Sequence, residues 1–339
     1  MTDYNMFAGH SIIGTGIITS PGGKMGSNGD LFLSGTNVQA INGGGSLFDN
    51  FGAVDTTGDV TVDGNATATF FGAIGGNLNV GHNANLTANI GGNIVAGGTV
   101  ATSGATTGSI FAGGLATLNP LGTVGGAIHS FSGMTPPSFT PLVIPAAHTF
   151  AAGGPDISVP QLGQQTLAPG SYGDFTMAGA NTIHLSSGNY YFNDITMTGS
   201  FVTWALDTTH GPINIFVTGS VFLDNPTVTL NGVAFSNITA ANAAQVFWET
   251  HSNFYADFAS LVGTVFAPDG DIQLVKLSNE LGTLVAGHDI ITDGATFTPG
   301  AVSPTLLSVP EPSGLVLALV AGAGLLLLNR RKARLPCSR

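Results

Sequence analysis

The sequence predicts an all-β protein, a parallel β-solenoid (β-helix) followed by a single C-terminal transmembrane helix. Three observations predict it. Glycine supplies 50 of 339 residues and charged residues only 8%, about twice and about a third of the usual shares. Hydrophobic residues still reach 43%, so the chain has the apolar surface for a core and lacks the composition of a disordered one. Glycine, alanine, threonine, asparagine and valine dominate, which suits short strands and tight turns. Long helices need more Glu, Lys, Arg and Gln than this chain contains.

The first element, residues 1–128, is predicted from internal repetition. Short phrases recur: Gly29-Asp30-Leu31-Phe32-Leu33, Gly58-Asp59-Val60-Thr61-Val62, Gly76-Asn77-Leu78-Asn79-Val80, Gly92-Asn93-Ile94-Val95-Ala96 and Gly108-Ser109-Ile110-Phe111-Ala112. Each places apolar residues at period two after a Gly-containing turn. Strands this short cannot bury a face alone, whereas stacked coils share one continuous core. The other arrangement with closely spaced strands is a β-sandwich; the near-constant spacing of the phrases favours the solenoid.

The second element, residues 129–170, is Pro-rich, with Pro136, Pro137, Pro141, Pro145, Pro155, Pro160 and Pro169. It reads as a linker, or as a loop packed along the solenoid. Coils are expected to resume over 171–300, where Gly170-Ser171-Tyr172 and Gly188-Asn189-Tyr190 precede alternating strands and Ile213–Val217, Val262–Ala267 and Leu284–Gly287 follow. A linker over 301–312, the apolar run 313–328 and a basic tail over 329–339 complete the reading.

Charge excludes one function class. Five of the seven basic residues lie among the last ten, and up to Ser308 only Lys24 and Lys276 oppose 18 acidic residues. Nucleic-acid binding needs a basic face, so no nucleic acid is expected as a partner. The single cysteine, Cys337, lies beyond the apolar run. The body therefore has no disulfide, Cys-based zinc site or thiol nucleophile.

The C-terminus carries three features in order: Val309-Pro310-Glu311-Pro312, the apolar run Ser313 to Leu328, and the cluster Arg330, Arg331, Lys332 and Arg334. The run is slightly short of the roughly 20 residues of a bilayer crossing. Snorkelling basic residues relax that requirement, and a cytoplasmic basic end places the body outside. This arrangement resembles the PEP-CTERM sorting tail of exopolysaccharide-producing bacteria. The resemblance implies export, processing near the motif by an exosortase, and transient anchoring in the inner membrane through the helix. It also implies residence at the cell surface or in the extracellular matrix. Such proteins carry a signal peptide, and MTDYNMFAGHSIIGTG shows no basic n-region followed by an apolar h-region. Either the true start lies upstream of Met1, which is the expectation because Tyr4-Asn5-Met6-Phe7 reads as the beginning of a mature domain, or the tail belongs to a protein that is not exported.

A second resemblance rests on Gln245-Val246-Phe247-Trp248, Gly263-Thr264-Val265-Phe266-Ala267-Pro268-Asp269-Gly270-Asp271 and Gly282-Thr283-Leu284-Val285-Ala286-Gly287. Together these resemble the choice-of-anchor A surface proteins over roughly Leu167 to Phe297. Similar wording occurs in β-solenoid ice-binding adhesins. These resemblances imply a structural or adhesive protein associated with exopolysaccharide, biofilm or other surface molecules, with an ice-binding adhesin as the alternative.

A polysaccharide-active β-helix enzyme is the remaining alternative, and no enzyme activity or cofactor is expected. The body has no arginine to serve a lyase. Asp269 and Asp271 are the nearest approach to the carboxylate pair of a glycosidase or to a calcium site, yet Pro268-Asp269-Gly270-Asp271 reads as a turn. The eight histidines are dispersed without metal-ligand spacing. His251 and His288 stand near Glu249 and Asp289 and read as exposed or loop residues. No catalytic and no metal-binding residue is assigned. Tyr172, Tyr190, Tyr191, Trp204, Trp248 and Tyr255 are candidates for stacking on sugars or for the core. Thr67/Thr69, Thr196/Thr198 and Thr227/Thr229 form T-x-T pairs of the kind an ice-binding face would use.

Overall fold

The structure, a computed structural model, describes residues 4–306 apart from 17, 50–51, 69–71, 200, 277, 301–302 and 304–305. Met1–Leu306 form one compact unit. It is a parallel β-solenoid whose walls are sheets of 20, 14 and 5 strands among the described residues. Between its strands the body carries a 3-10 turn at Phe235–Asn237 and one helical turn at Ala240–Ala243, capped by the Thr239 side chain. The single antiparallel pairing among the described strands joins Pro226–Leu230 to Val233–Ala234.

Period-two alternation builds the core as the sequence requires. Val60, Leu78, Ile94 and Ile110 stand in register on successive coils and are fully buried. The recurring Gly-Asp/Asn phrase has a second, less obvious job. The Asp59 side chain accepts the backbone N–H of Asn77 (2.6 Å), Asn77 that of Asn93 (2.9 Å), Asn93 that of Ser109 (2.8 Å), and Ser109 that of Ala127 (3.1 Å). Turn backbones cannot join the sheet ladders, so each coil's polar side chain satisfies the turn of the next. A second series runs through Asp30, Ser46, Asn65 and Asn83 to Thr99. Glycines let these turns approach closely; a Cβ on Gly97 would overlap the carbonyl oxygen of Gly81 below it.

The order of coils in space differs from their order in sequence. The 14-stranded sheet begins at Ile157–Val159 and climbs through Phe175–Ala178, Ile195–Thr198, Val221–Asp224, Phe254–Asp257 and Ile272–Val275 to Ile290–Thr292. Its next strand is Ile12–Gly14, and it continues to Ala116–Leu118. Ile12 pairs with Ile290 on one side and Leu31 on the other, and Met6 pairs with Leu284 and Met25. Along the sequence the described coils thus run from the middle of the stack to one end, cross to the other, and return to meet the coil that holds Ile12. The segments expected at 1–128 and 171–300 are parts of one stack.

The crossing is made by residues 130–156, an extended strap without strands. Its anchors descend the stack: Phe131 on Gly114, Phe139 on Asp63, Leu142 on Asn28 in both directions, His148 on Glu249 and Gly153 on Tyr172. Pro136, Pro137, Pro141 and Pro145 lack an N–H, which suits a segment that joins no ladder. Within the stretch expected as linker, 129–170, the strands Ile157–Val159 and Gln164–Leu167 already belong to the first returning coil. Pro160 and Pro169 fall between strands there, where a missing N–H costs nothing.

The sorting motif (Val309, Pro310, Glu311, Pro312), the apolar run 313–328 and the basic cluster Arg330, Arg331, Lys332 and Arg334 lie outside the described residues. Among the described residues, no helix is long and apolar enough to cross a membrane.

Candidate functional site: exposed faces and a clamped carboxylate

The strands of the 14-stranded sheet alternate inward and outward side chains, and the register lines up one outward position of each central strand in a single row. Its central part runs Phe222, Tyr255, Gln273, Ile291, Ile13, Phe32 and Phe48, each paired directly with the next. Thr196 precedes this run and Thr67 follows it. At about 4.8 Å per strand the apolar part is about 30 Å long. It crosses the seam where the chain's start meets its end, so residues nearly 280 positions apart share it.

Within this row the rings stack on one another. Phe222 and Tyr255 lie 4.9 Å apart at 2°, and Phe32 and Phe48 5.0 Å apart at 11°. Tyr191 stacks on Phe216 and Tyr172 on Phe192 in the same way. Ring faces are therefore occupied by neighbouring rings, and what solvent meets is a flat strip of edges. Tyr190, Trp204 and Trp248 are buried. The Trp248 indole N–H donates to the Val262 carbonyl (3.3 Å), and the Trp204 N–H points at the Met197 sulfur (3.1 Å). Of the two roles open to these aromatics, Tyr190, Trp204 and Trp248 take the core, and Tyr172, Tyr191 and Tyr255 each stack on a ring of the neighbouring coil.

The short sheet presents a second, hydrophilic face. Thr182, Thr203 and Thr227 form one outward row, and Thr166, His184, Ala205 and Thr229 form another. They border a shallow groove of about 540 Å³. The T-x-T pair Thr227/Thr229 contributes one residue to each row. Thr196 and Thr198 point outward on the 14-stranded sheet instead, and Thr69 lies outside the described residues.

The candidate acid–base residues have structural partners. Asp271 accepts the N–H of Asp289 (3.1 Å), and Asp289 that of Ser11 (2.8 Å), extending the turn ladder across the seam. The Pro268–Asp271 segment is a turn, as its sequence suggests. Lys276 pairs with Asp257, whose hydrogen bond raises the Lys276 ammonium above its ordinary range. That shift opposes service as a proton acceptor. His288 stacks on His10 of the adjoining coil, 4.9 Å away.

His251 lies in the bend just after Val246–Thr250, as the loop reading has it, but its side chain is engaged. Glu249 and His251 are two apart on the chain and so share a face, and Glu249 is fully buried beneath the strap. The carboxylate receives the His148 backbone N–H (2.7 Å), the His148 Nδ1 and the His251 Nε2 (3.1 Å). A carboxylate only accepts, so protons on these ring nitrogens donate to it. Phe150 covers His251, with ring centroids 4.4 Å apart. This clamp fastens the strap. Sequence reading missed it because His148 lies 101 residues from its partner; the i, i+2 pairing of Glu249 and His251 was the available signal. Among the described residues no group of His, Cys, Asp and Glu has the arrangement of a metal site.

Glu280 is a second buried carboxylate. It stands in register with Leu261 and Phe297, both core residues, and neither oxygen has a hydrogen-bond partner. Burial raises its carboxyl well above the ordinary value of 4.5, which favours the neutral acid over the carboxylate.

No curated protein matches the chain. An ice-binding protein from an Antarctic Flavobacteriaceae bacterium is 12% identical, with 88% of this chain and 97% of that one covered and a TM-score of 0.27. An ice-binding protein from an Antarctic biological consortium is 14% identical, covers 88% of each chain and has a TM-score of 0.26. A possible adhesin C-terminal domain from Caldicellulosiruptor kronotskyensis is 10% identical, with 90% and 94% covered and a TM-score of 0.27. Residues 160–300, which comprise the returning coils, match a family described as a domain of unknown function, DUF7305.

Proposed function

We propose that this chain is an exported, non-enzymatic structural or adhesive protein of the cell surface or extracellular matrix. In this reading its PEP-CTERM-type tail is processed by an exosortase, and its body, akin to the choice-of-anchor A proteins, contacts exopolysaccharide or neighbouring surfaces. The observation that carries the reading is the in-register outward row from Phe222 to Phe48. A flat apolar strip of edges on a stiff stack suits an extended, flat partner rather than a small substrate, and many weak contacts along it add through avidity. The engagement of Asp271, Asp289, Lys276 and Glu249 in structural bonds supports a role without catalysis.

Two measurements test it. Mass spectrometry of the C-terminal peptide from surface and medium fractions should find a terminus near Val309 to Pro312. Intact Arg339 found only in cytoplasmic protein would sink the export reading. Binding to the host's exopolysaccharide and cells should weaken in Tyr255→Asp and Phe32→Asp variants, whereas equal binding would remove the row from the contact surface.

The threonine rows of the short sheet favour one second reading, an ice-binding adhesin. Hydroxyls about 4.8 Å apart along a rigid sheet form the regular array such a face requires. Thermal hysteresis that disappears in Thr203→Tyr would support it, and its absence at high protein concentration would end it.

A further inference from the structure

The two ends of the stack are finished differently. The last coil comprises Ala116–Leu118, Thr123–Val124 and Ile128–His129, and each strand pairs only with the coil beneath it. Leu118 and Ile128 occupy inward positions, in register with buried Thr102 and Ile110, yet they are 37% and 43% exposed. Leu121 and Phe131 beside them are 79% and 73% exposed. The core cross-section is therefore open, bordered by unpaired strand edges. Solenoids close such an end with a polar cap, and an open edge is a template for another chain. At the opposite end the strand edges are likewise unpaired and Leu162 is 78% exposed, but the outermost coil keeps its inward Val159 and Leu167 buried and carries exposed Asp156.

Charge selects the occupant. The body is strongly acidic, but no Asp, Glu, Lys or Arg occurs between Asp63 and Asp156. Two bodies meeting by their 157 ends would oppose Asp156 and Asp174; meeting by their 116–131 ends, they oppose no formal charge. The surface that matches an open, uncharged apolar cross-section with free strand edges is the same end of a second copy.

We propose that coil 116–131 is a self-docking surface through which two copies join end to end about a two-fold axis. Such an isologous contact closes after two copies, and the acidic far ends, which would oppose Asp156 to Asp156, do not extend it. The product is a discrete double-length rod rather than a filament. This inference does not depend on the surface reading; it would hold for a rod of any function.

The full chain in mild detergent, measured by sedimentation velocity over a hundredfold concentration range, should show a twofold mass increase. A Leu118→Lys/Ile128→Lys variant should remain at single mass, with unchanged circular dichroism as the control for folding. As a second measurement, a spin label at Thr117→Cys in a Cys337→Ser background should report an intermolecular distance, while one at Thr166→Cys should report none in range. A single mass at every concentration would overturn the proposal and leave the surface to an unlike partner or to residues 307–339. A dimer that survives both lysines would overturn it too, as would a ladder of higher masses, which needs head-to-tail contacts.

Discussion

The two halves of the stack solve the same packing problem with different materials. In the half built from residues 6–129, the repeating step settles to 16 residues, and the core is Val, Ile, Leu and Ala. In the half built from 157–299, equivalent turns are 18 to 32 residues apart. A third sheet widens those coils, and Trp204, Trp248, Tyr190, Phe175 and Phe192 fill them. The narrow half needs small residues because its walls are close, and the one buried acid among its described residues, Asp49, stands at a strand end rather than among core side chains like Glu280. The wide half has room for large rings and for buried carboxylates. Stability in the first comes from repetition of small equal contributions; in the second it is concentrated in a few residues.

That contrast can be broken or sharpened by substitution. The largest effect is expected from Trp204→Ala, which removes a buried ring packed edge-on to Trp248 at 5.2 Å and should cost about 3–5 kcal/mol by denaturant unfolding. A smaller cost would mean the wide coil collapses onto the vacancy. Glu249→Ala should cost about 3 kcal/mol by leaving the His148 and His251 donors buried without their acceptor. Proteolysis should then nick the strap near His148 well before the coils, and unchanged nicking would deny the clamp its role.

Glu280 supplies a pH-dependent test. The folded chain holds a proton there that the unfolded chain releases, because burial raises the carboxyl well above 4.5. Its contribution to stability is complete below the ordinary glutamate value and is lost as pH rises toward the folded one. Melting temperature should therefore fall more steeply with pH above 4.5 in the native chain than in Glu280→Gln; parallel curves would show that the carboxyl is not retained as a neutral acid. The smallest effect is expected in the narrow half, where Asn93→Ala deletes one rung of the turn ladder and should cost about 1 kcal/mol.

Much of the narrow half was legible in the sequence, because a fixed step and a Gly-Asp/Asn phrase report directly on coil length and turn chemistry. The wide half was less so: its insertions, such as the segment containing Ala240–Ala243, vary the step and hide the repeat. The seam was invisible. Ile12 and Ile290 pair because their coils share an outline, and neither residue advertises the other. The first returning coil was hidden among prolines, since Pro155, Pro160 and Pro169 punctuate the chain between strands just as they would in a linker. The clamp on Glu249 depends on a histidine brought from the strap, which local periodicity does not register.

The seam also sets a timetable. Met6–Ala8 is synthesised well before one of its two neighbours, Asn279–Ala286. At about 5–20 residues per second, that edge waits on the order of tens of seconds for its partner. Until then the ladder from Asp289 to Ser11, separated by 278 positions, does not exist, and the outward row is split in two. The finished rod is a property of the complete chain, acquired all at once when the last coil closes the middle.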